Sequence, residues 1–522
     1  MCGIDARIVS VETDVGSGLP TFDMSGYLGT EVKEARDRVR IAIKNTGVEL
    51  PPQRIVVNIS PADIRKEGTG FDLPIAIGIL VSNGIIEEEK VKDTLVLGEL
   101  SLDGTVNTVN GVLPIVCAAK EAGIKLCIIP KDNLKEGSIA QGIRLYGAES
   151  LKDVQDILIN NSLDGVSANN PSDDFNKKYE AESKEAKSDG VISEGVILAD
   201  SLNEEEDYLD IRGQYSAKRA TLIAAAGMHN IMYVGPPGSG KTMLAKRIPT
   251  ILPDMTDEEK LKVTKIYSVA GKLDAEKGLI TRRPFRSPHH TITAAAMLGG
   301  GRIPRPGEIT LSGSGVLFLD EMTEFRPELM ESLRQPLEDK KITVVRLNAA
   351  YTYPAEFMLA AAINPCKCGY YPDRNRCHCS EYDIRRYIGR ISNPMWDRFD
   401  ICIKVDEVTY EDITGAKDSS AVYSSAYMKE QVEKVRLIQQ ERFKDSVTDY
   451  NSQMNMREIK KYCRLDEESS KIMESMYKKL SMSARGYGKV LKTARTIADL
   501  AGSENILSEH ITEALIYKKN EV

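Results

Sequence analysis

The chain has 522 residues, of which 42% are hydrophobic and 28% are charged, and its formal net charge is -8. This composition is that of an ordinary globular protein, and the length fits about three domains. No stretch of about 18 apolar residues is present, and the start, MCGIDARIVS, lacks the pattern of a signal peptide, so we expect a cytoplasmic protein without a membrane contact.

Residues 1–160 mix short strand patterns with helical patterns. Strands are predicted at 6–11, 54–59, 95–97 and 126–129, and helices at 31–45 and 112–122. A sequence that alternates these two periodicities predicts an α/β domain in which helices pack on a sheet.

Residues 161–197 are polar and rich in Ser, Asn and Asp. Such a segment cannot bury enough apolar surface to fold alone, so we predict a flexible linker. The window 161–210 holds fourteen acidic residues against four lysines. This excess of acidic over basic residues is larger than the net negative charge of the whole chain. The acidity therefore lies at the linker and does not exclude a nucleic-acid partner.

Residues 198–405 contain the pattern GxxxxGK[ST] between an apolar run at 231–234 and a helix-forming stretch. This strand–loop–helix context predicts a nucleotide phosphate site and disfavours a chance match in a Gly/Pro-rich turn. Lys241 is expected to bridge the β- and γ-phosphates of ATP, and the Thr242 hydroxyl is expected to bind Mg²⁺. The predicted loop consists of Gly235, Pro236, Pro237, Gly238, Ser239, Gly240, Lys241 and Thr242.

A second apolar strand, in GVLFLDE, ends in Asp320 and Glu321. With a phosphate loop upstream, Asp320 is predicted to hold the Mg²⁺ shell and Glu321 to act as general base toward water. The alternative is a buried strand capped by surface acids. A third strand pattern, 357–363, ends in Asn364, whose amide can orient the attacking water.

Two basic segments lie within the same domain. Residues 281–305 contain arginines and no acid, and residues 340–346 alternate in the manner of a hairpin strand. Basic loops on such a core can follow a nucleic-acid backbone, whereas the alternative is a solvated or intersubunit charged surface. The candidate contacts are Arg282, Arg283, Arg286, Lys340, Lys341 and Arg346.

Four of the nine cysteines form the pattern C-x-C, eight residues, C-x-C. Two such pairs around a turn can converge on a closed tetrahedral site, which favours a structural zinc ion. Free reduced cysteines are the alternative, because C-x-C is less common than C-x2-C in zinc sites. The candidate ligands are Cys366, Cys368, Cys377 and Cys379.

Residues 425–522 are helical in pattern, with helices predicted at 427–443, 456–463, 466–482, 487–501 and 508–518. Arg485 precedes the fourth of them, where a lid can touch bound nucleotide. The alternative for Arg485 is an exposed arginine at a helix start.

Along nearly its whole length the chain resembles the YifB/ComM family of magnesium-chelatase-like AAA+ ATPases. The motifs that carry the resemblance are KEARDRVRIAIKN, RKEGTGFDLPIAIGIL, GPPGSGKT, RPFRSPHH, GVLFLDE, LRQPLED, NPCKCGYYPD and ARTIADLAG. The resemblance implies a Lon-protease-like α/β domain of the ribosomal-protein type over 1–160. It further implies an AAA+ P-loop core with a helix-2 insert over 198–405 and a C-terminal helical lid over 425–522.

The resemblance also implies a homo-hexameric ring whose sites are completed by an arginine from the next subunit. Arg398 matches that arginine finger, Arg485 matches the second sensor, and Arg346 falls where relatives carry a DNA-touching hairpin residue. ComM-like members are ATP-driven branch-migration helicases, so branched or single-stranded DNA is the expected partner.

The Lon-like domain raises the possibility of a protease, which would need a Ser nucleophile and a Lys base. Asp72 and Leu113 stand at the two corresponding positions, so proteolysis is disfavoured. Two alternatives remain: a magnesium-chelatase-like motor for metal insertion, and a scaffold that uses ATP as a switch. The acidic pair at the end of GVLFLDE disfavours the scaffold.

Overall fold

The computed structural model describes residues 3–49, 51–160, 206–274, 278–301, 304–346, 349–410 and 423–518. The predicted linker at 161–197 lies outside the described residues, as does the start of the predicted 198–405 domain. No helix among the described residues is both long enough and apolar enough to cross a membrane.

The first 160 residues form three small sheets with helices packed on them. The strands are β1 (Ser10–Gly16), β2 (Phe22–Ser25), β3 (Arg54–Ser60), β4 (Thr94–Val96), β5 (Glu99–Leu100), β6 (Val106–Asn107), β7 (Leu126–Pro130) and β8 (Arg144–Ala148). The helices are α1 (Thr30–Asn45), α2 (Asp72–Ser82), α3 (Glu88–Val91), α4 (Val112–Glu121), α5 (Leu134–Ser138) and α6 (Leu151–Asn160). The sheet orders are β1-β3-β2, β4-β7-β8 and the hairpin β5-β6.

The first strand lies later than predicted, at Ser10–Gly16 instead of 6–11. It pairs antiparallel with β3 at one edge of its sheet, and its residues alternate between exposed and half-buried. Because an edge strand with one solvated face needs only modest apolar residues, its charged positions hid it from a search for apolar runs.

Asp72 and Leu113 both lie in the packed interior of the first domain. Asp72 is fully buried at the start of α2, where its carboxylate accepts hydrogen bonds from Arg38 Nε at 2.7 Å, Arg38 Nη2 at 2.9 Å and the Leu100 amide at 3.2 Å. Burial raises the pKa of Asp72, and the Arg38 hydrogen bonds oppose that rise. Leu113 is fully buried in α4. The two positions therefore stabilise the domain core.

The second unit is built on a five-stranded parallel sheet. Its strands are β9 (Ile231–Val234), β10 (Phe285–Arg286), β13 (Val316–Leu319), β16 (Met358–Ile363) and β17 (Ile401–Lys404), in the order β10-β13-β16-β9-β17. Strands β9, β13 and β16 are buried along their whole length, as expected for central strands covered on both faces. Because the strands are parallel, their carboxyl ends meet at one edge.

The helices of this unit lie on both sides of the sheet. They are α7 (Tyr215–Gly227), α8 (Lys241–Lys246), α9 (Ile248–Ile251), α10 (Asp257–Ala270), α11 (Ala294–Leu298), α12 (Glu308–Leu311), α13 (Pro327–Ser332), α14 (Arg334–Asp339), α15 (Glu381–Ile388) and α16 (Asn393–Trp396). The apolar residues of the sheet contribute to two large cores, one on each face.

Two hairpins extend from this unit. The short strands β11 (Gly299–Gly300) and β12 (Arg305–Pro306) lie between α11 and α12. The strands β14 (Lys341–Arg346) and β15 (Ala349–Pro354) form an antiparallel pair just before β16, which agrees with the hairpin predicted at 340–346. Ile342 and Val344 are buried while Val345 is exposed, so the hairpin has an apolar face and a solvated face.

The last unit is helical, as predicted, with α17 (Ser425–Arg442), α18 (Met456–Tyr462), α19 (Glu467–Lys479), α20 (Ala484–Leu500) and α21 (Ser508–Ile516). Helix α20 begins three residues earlier than predicted. The Ser483 hydroxyl accepts a hydrogen bond from the Gly486 amide at 3.0 Å and so caps the helix, which places Arg485 inside the first turn. The weak helix formers Gly486 and Gly488 concealed this turn in the sequence.

A buried ion cluster holds these helices together. Asp499 accepts hydrogen bonds from Arg442 Nη1 and Nη2, each at 2.6 Å, from Arg495 Nε at 2.9 Å and from Asn451 at 2.8 Å. The Asp499 side chain is 1% exposed, so two guanidinium groups depend on one desolvated carboxylate.

We expect Asp499→Ala to destabilise the helical unit by about 3–5 kcal/mol, because it leaves the buried Arg495 and the half-buried Arg442 without their counter-charge. The measurement is the unfolding midpoint in urea followed by circular dichroism. Glu474→Ala is the control, since it removes only an exposed pair with Lys478, and its midpoint should not move. Equal midpoints for both variants would contradict this account.

Candidate functional site

The loop between β9 and α8 has the conformation that its glycines predict. Gly238 and Gly240 have φ values of +75° and +88°, which L side chains rarely adopt. Gly235 lies against the residue that follows β17, because a Cβ at position 235 would be 2.2 Å from the Val405 carbonyl oxygen. The loop therefore curls tightly over the carboxyl end of the sheet, next to the amino end of α8.

Lys241 is folded back onto its own loop. Its Nζ donates hydrogen bonds to the Gly235 oxygen at 2.9 Å, the Pro236 oxygen at 2.7 Å and Asn364 Oδ1 at 3.2 Å. Burial lowers the pKa of Lys241, while Asp320 and Glu321 partly restore it. An ammonium group with these neighbours is a ready partner for an anion.

The two acids predicted at the end of β13 lie beside the loop. Thr242 Oγ1 donates to Asp320 Oδ2 at 2.8 Å, and Asp320 Oδ1 accepts from the Glu321 amide at 2.9 Å. Glu321 has a φ of +48°, a left-handed conformation that is uncommon outside glycine and that clusters at functional sites. This conformation leaves the Glu321 side chain exposed at the edge of the sheet.

These groups surround one cavity of about 340 Å³. A hydroxyl and a carboxylate side by side are hard oxygen donors of the kind that Mg²⁺ binds, so Thr242 and Asp320 fit that ion. The cavity is lined by Pro237, Gly238, Ser239, Gly240, Lys241, Thr242, Met243, Asp320, Glu321, Ala362, Ile363 and Asn364.

Arg398 and Arg485 are not among the lining residues of this cavity. Both donate to Oε1 of Glu338 in α14, Arg485 through Nη2 at 3.0 Å and Arg398 through its own Nη2. The Arg398 side chain is only 7% exposed, and burial lowers its pKa, although Glu338 opposes that effect. The sequence places Arg398 and Arg485 in separate elements, and folding brings both to the Glu338 carboxylate.

Glu338 itself was missed, although it lies in the quoted motif LRQPLED. The role of Lys489 was missed as well. Its Nζ donates to the Phe399 carbonyl at 2.8 Å and pairs with Asp400 at 3.2 Å. Burial opposes ionisation of Asp400, but Lys489 and His229 outweigh it and hold the pKa of Asp400 below its usual value. No periodicity in the sequence reveals pairs this distant in the chain.

Gln214 is a further residue without a signal in the sequence. It has a φ of +55° just before α7, and its Nε2 donates to the Ser239 oxygen at 3.2 Å and to the Asp406 oxygen. Gln214 thereby ties the phosphate loop to the chain that follows β17.

The four predicted cysteines come together. Their sulfur atoms all lie within 4.8 Å of one another, with Cys366 Sγ 3.2 Å from Cys368 Sγ and 3.7 Å from Cys377 Sγ. Four thiolates around one zinc ion would be separated by about 3.8 Å, given Zn–S bonds of about 2.3 Å. The fourth member, Cys379, is half-buried, and the set fits a closed metal site.

The basic candidates divide into buried and exposed residues. Arg283 is 6% exposed and pairs with Glu259, and Arg286 is 1% exposed and pairs with Glu308 at 2.6 Å. Neither side chain is accessible to a nucleic acid, so the prediction that these two arginines contact DNA is wrong for this conformation.

The other basic candidates lie nearer the surface. Lys340 is half-buried at the base of the β14–β15 hairpin, where burial lowers its pKa against the opposing effect of Asp400. Arg282 and Lys341 are exposed. Arg346 ends β14.

Three family models match consecutive parts of the chain. The model described as magnesium chelatase, subunit ChlI, matches residues 207–413. Subunit ChlI of Mg-chelatase matches 11–133, and the magnesium chelatase subunit ChlI C-terminal model matches 423–518. The matches span both the sheet unit and the helical unit described above.

Relatives extend this similarity over the full length. The competence protein ComM of Haemophilus influenzae is 39% identical over 99% of this chain and 95% of its own length. The YifB protein of Escherichia coli is 37% identical over the same shares. Lon protease 2 of Bacillus subtilis is 32% identical over 30% of this chain and 29% of its own length.

We expect Glu338→Ala to lower the thermal stability by about 1–3 kcal/mol, because it removes the carboxylate between two arginines. Repulsion between the two guanidinium groups is screened by ions, so the loss should shrink as salt is raised. Thermal unfolding at low and high salt measures both effects. Asp339→Ala, one residue along the same helix, should leave the midpoint unchanged at either salt concentration.

Proposed function

Because the chain belongs to the YifB/ComM family of magnesium-chelatase-like AAA+ proteins, we propose that it is an ATP-hydrolysing motor acting on DNA. The observation that carries the proposal is the single cavity bounded by Lys241, Asp320, Glu321 and Asn364. Phosphoryl transfer to water requires a lysine that binds phosphate, an acid that binds a metal ion, an acid that accepts a proton and an amide that orients water.

In the proposed reaction the β- and γ-phosphates of ATP replace the carbonyl partners of Lys241. Thr242 and Asp320 would hold Mg²⁺, which would offset the charge on the phosphate oxygens when bound. Asn364 orients a water molecule, and Glu321 accepts its proton as it attacks the γ-phosphorus. The bond from the γ-phosphorus to the oxygen that bridges it to the β-phosphate breaks, so that inorganic phosphate and ADP leave. The exposed, left-handed position of Glu321 leaves its carboxylate free to meet that water.

We further propose that the active assembly is a homo-hexameric ring. Arg398 precedes β17 and so lies toward the amino ends of the strands, whereas the cavity lies at their carboxyl ends. An arginine so placed can reach the phosphates of an adjacent subunit more readily than those of its own. Arg485 donates to the same Glu338 carboxylate, so it would lie beside Arg398 at the adjacent subunit's site.

DNA is the proposed partner of the two hairpins. The sequence between β10 and β13, with a hairpin inserted between two short helices, has the arrangement of a helix-2 insert, and β14–β15 is the second projecting pair. Lys341 is exposed at the start of β14, Arg282 is exposed before β10, and Arg346 ends β14. Cations on projecting loops can follow a phosphate backbone without reading its sequence.

The name of the Haemophilus influenzae relative links that protein to competence. This favours a motor that binds branched or single-stranded DNA and drives branch migration over other uses of a motor. The chelatase names of the family models favour a second candidate, a motor for metal insertion. Stimulation of ATP turnover by DNA distinguishes the two, and a cytoplasmic location suits either.

We expect Glu321→Gln to reduce ATP hydrolysis by about a hundredfold or more while nucleotide still binds, since only the general base is removed. Phosphate release is measured with and without four-way or forked DNA at low salt. Glu324→Gln, an exposed neighbour paired with Arg390, is the matched control and should hydrolyse at the wild-type rate. If DNA neither binds nor stimulates the wild-type protein, the DNA motor is ruled out.

We also propose that the four cysteines hold a structural zinc ion. Protein purified without chelators is expected to contain about one zinc per chain by elemental analysis. Cys366→Ser, at a fully buried ligand, should lose the metal, and Cys117→Ser, a half-buried cysteine of the first domain, should keep it. Wild-type protein that contains no zinc would instead indicate that the four cysteines are free and reduced.

A further inference from the structure

The cysteine loop, residues 366–379, begins directly beside the nucleotide cavity. Only Pro365 separates Cys366 from Asn364, whose Oδ1 accepts a hydrogen bond from Lys241 at 3.2 Å. Cys366 is fully buried, so it has little freedom to move independently of the strand end. The position of Asn364 therefore depends on how the start of the cysteine loop is held.

A second contact lies on the phosphate loop itself. A Cβ added to Gly369 would be 2.4 Å from Pro237 Cδ, so the backbone of the cysteine loop packs directly on a residue that lines the cavity. Gly369 also has a φ of +88°, which glycine adopts without strain. The turn around Gly369 thus supports the phosphate loop from outside.

A third link is weaker. Arg376 donates to both Glu407 carboxylate oxygens at 2.8 and 2.7 Å and lies 3.9 Å from the centre of the Tyr370 ring. Glu407 follows Asp406, whose carbonyl is bonded to Gln214 and through it to the phosphate loop. Since this ion pair is nearly half exposed, its contribution to stability is small.

The loop is anchored by Cys366 and Cys377, which are buried in the core on one face of the sheet, but it has no regular secondary structure of its own. All of residues 366–379 are described, and none belongs to a helix or strand. Its internal backbone bonds are short turns, such as Gly369 to Cys366 at 3.0 Å and Cys377 to Asp373 at 2.8 Å. A metal ion bound by both cysteine pairs would close these turns into one rigid unit.

We propose that the metal held by the four cysteines sets the geometry of the phosphate-binding loop, so that nucleotide affinity depends on whether the cysteine site is loaded. The inference rests on the proposed nucleotide function and on the proposed zinc site. With metal bound, Gly369 and Asn364 hold Pro237 and Lys241 in the binding arrangement. Without it, binding must also order the loop, and that entropy is lost from the affinity.

The test compares ADP binding to zinc-loaded and zinc-free full-length protein by calorimetry, in excess Mg²⁺. A nitrogen-donor chelator removes zinc and leaves Mg²⁺, which prefers oxygen ligands. We expect ADP to bind about tenfold more weakly to the zinc-free protein, because ADP binding must then also order the loop. Coupling between two binding sites is reciprocal, so saturating ADP should raise the apparent zinc affinity by the same factor.

Gly369→Ala separates the contact from the metal. It keeps all four cysteines and should keep zinc, but the added methyl group displaces Pro237, so ADP binding should weaken. Gly84→Ala is the matched control, because Gly84 has a φ of +72° and nothing within 4 Å of an added Cβ, and its ADP affinity should equal that of wild type.

The outcomes separate the two proposals. Equal ADP affinity with and without zinc, or an unaffected Gly369→Ala variant, overturns the coupling and leaves the nucleotide function standing. Zinc-loaded protein that binds no ADP overturns both. Weakened binding in zinc-free protein and in Gly369→Ala, with intact zinc in the latter, supports the coupling.

Discussion

The parallel alignment of β9, β13 and β16 is the constraint on which the candidate site depends. Strands β13 and β16 are followed directly by Asp320 and Asn364, and β9 is followed by the phosphate loop that carries Lys241. Because the strands are parallel, these three points meet at one edge of the sheet. Lys241 reaches Asn364 at 3.2 Å and Thr242 reaches Asp320 at 2.8 Å, although the partners are more than 70 residues apart in sequence. A single reversed strand would scatter the group, so burial of these apolar strands on both faces is also what preserves the chemistry.

The same alignment separates the chain's tasks between two edges of the sheet. The phosphate loop and both acids lie where the strands end, while the β14–β15 hairpin and the segment carrying Arg398 lie where strands begin. The two edges are connected by β9, β13 and β16, which are buried along their whole length. Asn364 directly follows the strand that the hairpin precedes, so β16 connects the hairpin covalently to the cavity.

The sequence was informative wherever function requires a residue type at a fixed local spacing. The phosphate loop, the acids after β13 and the cysteine pairs were all predictable, because each depends on neighbours in the chain and on an apolar strand that is easy to recognise. Strand β1 was misplaced because its charged edge lacks an apolar run. Arg283 and Arg286 looked like surface cations because composition does not report partners, and Glu259 and Glu308 are brought to them only by folding. Glu338 and Gln214 gave no signal for the same reason.

Contacts of the helical unit explain why that unit and the Arg398 segment cannot move independently. Arg485 and Lys489 are four residues apart, so they project from one face of α20. One reaches Glu338, the partner of Arg398, and the other reaches the Phe399 carbonyl and Asp400. The helix thus contacts both the acidic partner of Arg398 and the two residues that follow Arg398. A rotation of α20 must either carry Arg398 with it or separate Lys489 from the charged Asp400, whose side chain is only 12% exposed. The second course is the more costly, because it leaves a largely desolvated carboxylate without its counter-charge.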